Sequence, residues 1–211
     1  MNKMVRAVID EYQSRLDLEK DVVMSFDRTA YLEQRDAFLL AVGPDTAQFL
    51  NILIKARRPE VILEVGTSYG YSTVWLAEAA QAVGGKVFTL ELSAAKSAFA
   101  KGMAYKAGLA DSVEFIIGDA LVEITKLAHP IDFALIDLWK ELYIPVFDRV
   151  YPKLSNRAVV AADNILLPAM HSEAASKYVA HVRSQTGIES VTVPIGSGIE
   201  LSCFSESERQ R

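Results

Sequence analysis

The sequence predicts an α/β fold built on a mostly parallel sheet with helices on both faces. Three observations carry this. Five short apolar runs, at 61–65, 86–90, 113–117, 131–136 and 158–162, are separated by segments long enough for return connections. Strands that alternate with helices at this spacing build βαβ units. Two further runs, 190–194 and 199–204, are joined across Gly196-Ser197-Gly198, which leaves no room for a crossover helix. That pair is therefore a hairpin, and one of the seven strands runs against the others at an edge. Finally, 51% hydrophobic and 23% charged residues over 211 positions supply one full core and exclude a disordered chain.

The elements follow in order. Residues 3–40 are helix-like: Val5, Val8, Ile9 and Tyr12 recur at helical spacing, with neither Gly nor Pro in the stretch. Gly43-Pro44-Asp45 breaks the pattern, and 46–55 reads as a short helix with Phe49, Leu50, Leu53 and Ile54 on one face. Residues 1–57 thus form an extra helical cap on a core at 58–204, followed by a frayed tail at 205–211. Within the core, helices are expected at 71–83 and 93–107. Trp75, in the first of these, is a core residue.

Composition excludes several function classes. Cys203 is the only cysteine, so a disulfide scaffold is ruled out, and it reads as a packing residue. A net charge of −5 argues against nucleic acid as a partner. No run of about 18 apolar residues is present, so the reading is a soluble, cytoplasmic chain with no membrane partner. His129, His171 and His181 have no metal-site spacing.

The chemistry begins at the first strand. Glu64-Val65-Gly66-Thr67-Ser68-Tyr69-Gly70-Tyr71-Ser72 follows it and opens a helix. Glycines there let the backbone turn tightly beside a ligand, and Ser72 can donate to a ligand carboxylate at the helix N-terminus. The spacing is not G-x-G-x-x-G, which weakens a nicotinamide reading. Glu91 ends the second strand, where a carboxylate can accept both hydroxyls of a ribose. Asp119 follows the third strand and either caps the next helix or holds an adenine amino group.

Asp137-Leu138-Trp139-Lys140 follows the fourth strand and Asp163-Asn164 the fifth. With the glycine turn and Glu91, this ordered set resembles the metal-dependent S-adenosylmethionine O-methyltransferases of the catechol and caffeoyl-CoA type, over residues 38–201. The resemblance implies a Rossmann-like methyltransferase domain. It places S-adenosylmethionine against Val42, Glu64, Gly66, Tyr71, Ser72, Glu91, Asp119 and Asp137. It puts Mg²⁺, or another divalent cation such as Mn²⁺ or Ca²⁺, on Asp137, Asp163 and Asn164. Lys140 becomes the general base, and Phe38, Trp139, Lys140, Asn164, Pro168 and Glu200 face a phenolic acceptor. Chemistry supports the metal set independently, since two carboxylates and an amide are hard oxygen donors of the kind Mg²⁺ takes. The plainer alternatives are a turn pair for Asp163-Asn164, a surface lysine for Lys140 and a water-facing carboxylate for Glu200.

The implied activity is methyl transfer to a hydroxyl of a vicinal diphenol. A larger acceptor, such as a hydroxycinnamoyl-CoA ester, and a module that binds cofactor without chemistry are the alternatives. The N-terminal helices are placed to close a lid or to pack on a second copy in a homodimer.

Overall fold

The computed structural model describes residues 1–166 and 172–206. Three helices precede the sheet: α1 (Lys3–Ser25), α2 (Arg28–Gln34) and α3 (Pro44–Arg57). The helical stretch expected at 3–40 is thus broken. The reason is Asp27, whose carboxylate accepts the Ala30 N–H at 2.8 Å and starts a new helix as its N-cap. Then come β1 (Val61–Val65), α4 (Tyr71–Val83), β2 (Lys86–Glu91), α5 (Ala94–Lys106), β3 (Val113–Ile117), α6 (Ala120–Lys126) and β4 (Ile131–Ile136). The chain closes with α7 (Tyr143–Val150), β5 (Leu154–Ala162), α8 (Ser172–Arg183), β6 (Ile188–Val193) and β7 (Ile199–Phe204).

The seven strands form one sheet in the order β3-β2-β1-β4-β5-β7-β6. β7 is antiparallel to both β5 and β6, so the single reversed strand lies at that end of the sheet, one place in from the last strand. Side chains alternate between two cores. Ile62, Phe133, Leu135, Val159 and Ala161 pack toward α1, α3, α4 and α5. Leu63, Val65, Ala134, Ile136 and Val160 pack toward α6, α7 and α8. A strand buried on both faces reads as an unbroken apolar run, which is why the central strands are visible in the sequence. Cys203, expected to pack, is exposed on β7.

Strand order reverses between β1 and β4. In open α/β sheets the crevice beyond the carboxyl ends of the strands at such a point receives ligands. The β1 turn is held shut from behind by α1, where Val5, Val8 and Tyr12 are buried. Tyr12 Oη donates to the Tyr69 carbonyl at 2.5 Å. Arg15 donates to the Ala37 carbonyl at 3.0 Å, and Glu19 accepts the Leu39 N–H at 2.9 Å. These bonds anchor the segment after α2 across one side of the crevice.

Candidate active site

The turn after β1 is shaped by close backbone contact. Gly66 has φ +104°, and a Cβ there would lie 1.8 Å from the Asp137 carbonyl oxygen. Only glycine allows β1 and β4 to end this close together. The Gly66 and Thr67 N–H groups both donate to the Leu90 carbonyl at 3.1 Å, tying the turn to β2. Glu91 then accepts the Ser68 N–H at 2.8 Å on one oxygen and the Ser93 N–H at 2.9 Å on the other. Its carboxylate is thereby fixed at the end of β2 by two backbone N–H groups. Asp119 caps α6 by accepting the Leu121 N–H at 2.8 Å, so the capping role expected of it is present.

Glu64 is a correction. Its carboxylate was expected to face the cofactor, but the residue is fully buried. Ser72, Thr73 and Thr89 each donate a hydroxyl to it at 2.6 Å. The Ser72 proton expected to reach a ligand is therefore given to Glu64. Both residues brace the turn from beneath. Val42 and Tyr71 likewise sit in the core, with the Tyr71 ring edge-on to Tyr12 at 5.7 Å.

Burial pushes the Glu64 carboxyl up to about 7, against the pull of its three hydroxyl donors and with a small further push from the Asp137 charge. This has a consequence for stability. The folded pKa exceeds the ordinary value of 4.5, so the native state binds more protons than the unfolded chain between those limits. The contribution is complete below the unfolded value and is lost as pH rises through about 7. Glu64→Gln removes the titration and keeps the shape. Urea unfolding from pH 5 to 8 is expected to show the wild type losing roughly 3 kcal/mol more than Glu64→Gln, from about 1.4 kcal/mol per pKa unit. Parallel curves for the two proteins would contradict this reading.

Across the crevice lies a second cluster. Lys140 is only 7% exposed, on the turn between β4 and α7. Its Nζ donates to the Tyr143 hydroxyl, to the Asp163 carbonyl at 3.1 Å and toward Asn164 Oδ1 at 3.4 Å. Tyr143, fully buried, donates in turn to the Asp163 carbonyl at 3.0 Å. Burial draws the lysine down to about 8, although the charges of Asp137, Asp163 and Glu141 oppose the fall. Burial also raises the Asp163 carboxyl to about 7, with the Asp137 charge adding to it. Asp137 rises to about 6 by desolvation, with Lys140 opposing.

The residues present fit a divalent cation. Asp163 Oδ2 accepts from Asn164 at 3.0 Å, while Oδ1 is buried with no hydrogen-bond partner. A buried carboxylate oxygen without a partner is costly unless something else satisfies it. Asp137 and Asp163 stand at neighbouring strand ends, where the Asp163 N–H bonds the Ile136 carbonyl at 3.1 Å. Among the described residues no group of three His, Cys, Asp or Glu gathers as a metal site, here or elsewhere. The donor set here is two carboxylates and one amide, all hard oxygens.

Trp139 stands beside this cluster, 39% exposed, with Phe38 half-buried and set against Phe26 at 5.9 Å. Pro168 and His171 lie outside the described residues. Glu200 is the second correction. It is fully buried and takes two bonds from Arg183, at 2.8 and 3.1 Å, with others from Ser190 at 2.6 Å and Thr192 at 2.5 Å. It lies opposite Ala162 on the α8 face and offers no free carboxylate to an acceptor. Two residues that the sequence did not flag belong to the site. Tyr143 supports Lys140 from one helical turn away, a spacing visible in the chain. Arg35 places its guanidinium carbon 3.7 Å from the Trp139 ring centroid, a contact no local pattern announces.

Comparison with known proteins identifies the family. Residues 17–203 match the family described as O-methyltransferase. A probable O-methyltransferase of Mycobacterium tuberculosis, Rv1703c, is 29% identical over 82% of this chain and 75% of its own length. A catechol O-methyltransferase of Niastella koreensis is 30% identical over 79% of this chain and 76% of its own. The crystal structure of cofactor-bound Rv0187 from MTB superposes with a TM-score of 0.75 at 27% identity, over 90% of this chain and 96% of that one. With its seven-stranded Rossmann-like sheet and its strand-end crevice, the chain belongs to the O-methyltransferase family and is an enzyme of that family.

Proposed function

We propose that this enzyme transfers a methyl group from S-adenosylmethionine to one hydroxyl of a vicinal diphenol, with a divalent cation of the Mg²⁺ type held by Asp137, Asp163 and Asn164. The observation that carries this reading is the cluster around Lys140 Nζ. It sets an amine with a lowered pKa on the Asp163 carbonyl, and the same residue carries a buried carboxylate oxygen with no hydrogen-bond partner.

Each side chain then has a task. Gly66 and the fixed Glu91 carboxylate hold the methyl donor over the end of β1, the carboxylate accepting its ribose hydroxyls. Asp119 borders the adenine end. S-adenosylmethionine supplies an electrophilic methyl on a sulfonium. Held by Asp137, Asp163 and Asn164, a divalent cation would supply Lewis acidity toward the phenol. Lys140, neutral at Nζ, accepts the phenolic proton, and Tyr143 with the Asp163 carbonyl fixes where that nitrogen points. The resulting phenolate oxygen forms its bond to the methyl carbon as the carbon–sulfur bond breaks. Sulfonium and phenolate charges cancel in that step, so a dry pocket does not oppose it. Trp139 forms a flat wall for the acceptor ring.

The test is S-adenosylhomocysteine formation with diphenols and matched monophenols, in Mg²⁺ and in chelator. Turnover of diphenols alone, lost in chelator, is the expected result. Metal-independent turnover would overturn the roles of Asp137, Asp163 and Asn164.

A further inference from the structure

Arg35 ends α2 and lies over the Trp139 ring, its guanidinium carbon 3.7 Å from the ring centroid. Stacking of this kind uses the flat face of the guanidinium and leaves its edge N–H donors free. Among the described residues no carboxylate lies within ion-pair reach of Arg35 and no hydrogen bond engages its side chain. The neighbouring acid is committed elsewhere: Asp36 pairs with Lys96 at 3.1 Å, and its carbonyl accepts from Tyr69 at 3.3 Å. Glu33 and Glu141, the other nearby acids in the chain, are exposed. The result is a planar cationic donor fork, half-buried, on the one large exposed ring between Asp137 and Lys140.

We propose that Arg35 selects acceptors carrying a carboxylate, so that the substrates are diphenolic acids rather than neutral or amine-bearing diphenols. The proposal rests on the proposed function for where the acceptor sits. A guanidinium edge matches a carboxylate in two parallel hydrogen bonds, and such charge-assisted pairs are among the strong ones. The same charge repels an ammonium group on an acceptor. A polyphosphate tail would call for several cations, and Lys96, paired with the adjacent Asp36, already has its acid.

The experiment compares caffeate, its methyl ester, dopamine and caffeoyl-CoA as acceptors for the wild type, Arg35→Lys and Arg35→Met. Methionine keeps apolar contact with Trp139, so folding is not the variable. Caffeate is expected to be the preferred acceptor. Arg35→Met should lower kcat/KM for caffeate about tenfold or more, mainly through KM, and affect the ester far less. Lysine should restore only part, since it keeps the charge and loses the fork. Equal loss on every acceptor would make Arg35 a packing residue and overturn the proposal, as would no loss at all. An Arg35-dependent preference for caffeoyl-CoA over caffeate would replace the carboxylate by a phosphate. If the wild type turns over no diphenol, the functional reading falls separately. Quenching of tryptophan fluorescence by caffeate and by its ester then decides whether Arg35 discriminates charge.

Discussion

Lys140→Met is expected to lower kcat by roughly a hundredfold to ten-thousandfold, the range a positioned general base supplies. The side chain is buried and its three hydrogen-bond acceptors belong to the same cluster, so no other described amine has its place. Methionine keeps the unbranched stem, and thermal unfolding should move little. Binding of S-adenosylmethionine, read by calorimetry, should be unchanged, since Glu91 and the glycine turn lie across the crevice. Tyr143→Phe is the companion variant. Its ring remains to fill the core between Lys140 and Tyr178, which it meets edge-on at 5.3 Å. Loss of the hydroxyl should cost about tenfold in kcat, equivalent to one net hydrogen bond. In the Lys140→Met background the same change should cost nothing more, because residues acting as a unit are not additive. Additive losses would separate the two residues. An active Lys140→Met enzyme would remove the lysine from the chemistry altogether.

The sequence makes the frame legible where burial is two-sided. β1 and β4 are apolar runs with no competing periodicity, and their ends bring Gly66 and Asp137 together. Glu91, Asp119, Asp163 and Asn164 are readable for the same reason, since each follows a strand at the carboxyl end of a parallel sheet. The errors have physical causes. The helix break at Asp27 is a capping event inside an unbroken helical pattern. α7 is hidden by Pro145, which a first helical turn tolerates. β5 begins four residues before the apolar run because Arg157, at φ +67°, makes an irregularity that shifts its register against β4. Glu200 shows what a resemblance cannot supply. A residue can stand on the right strand, yet its carboxylate goes to the nearest cation, and Arg183 reaches it from a helix whose angle no local pattern encodes. Glu64 fails likewise, because three hydroxyls converge on it from α4 and β2.

Asp163→Asn separates the metal from the fold. Asp163 is fully buried, and its carboxyl is raised by burial and by the Asp137 charge. Replacing it by the neutral amide of the same shape removes one of two like charges, so in chelator the variant should be at least as stable as the wild type. Addition of Mg²⁺ then divides them. A ligand at a hundredfold excess over its Kd stabilises the native state by about 2.7 kcal/mol, which for a chain of this size raises Tm by roughly 5–10 °C. The wild type should show that shift and Asp163→Asn should not. Activity should fall about a thousandfold or more, since several kcal/mol of charge stabilisation leave with the cation. The two readouts protect the interpretation from each other. An inactive variant that still takes up Mg²⁺ would mean that the Asp163 carboxylate serves the reaction otherwise than as a metal ligand. If Mg²⁺ leaves the wild type's Tm unmoved as well, the assignment of a cation to Asp137, Asp163 and Asn164 falls.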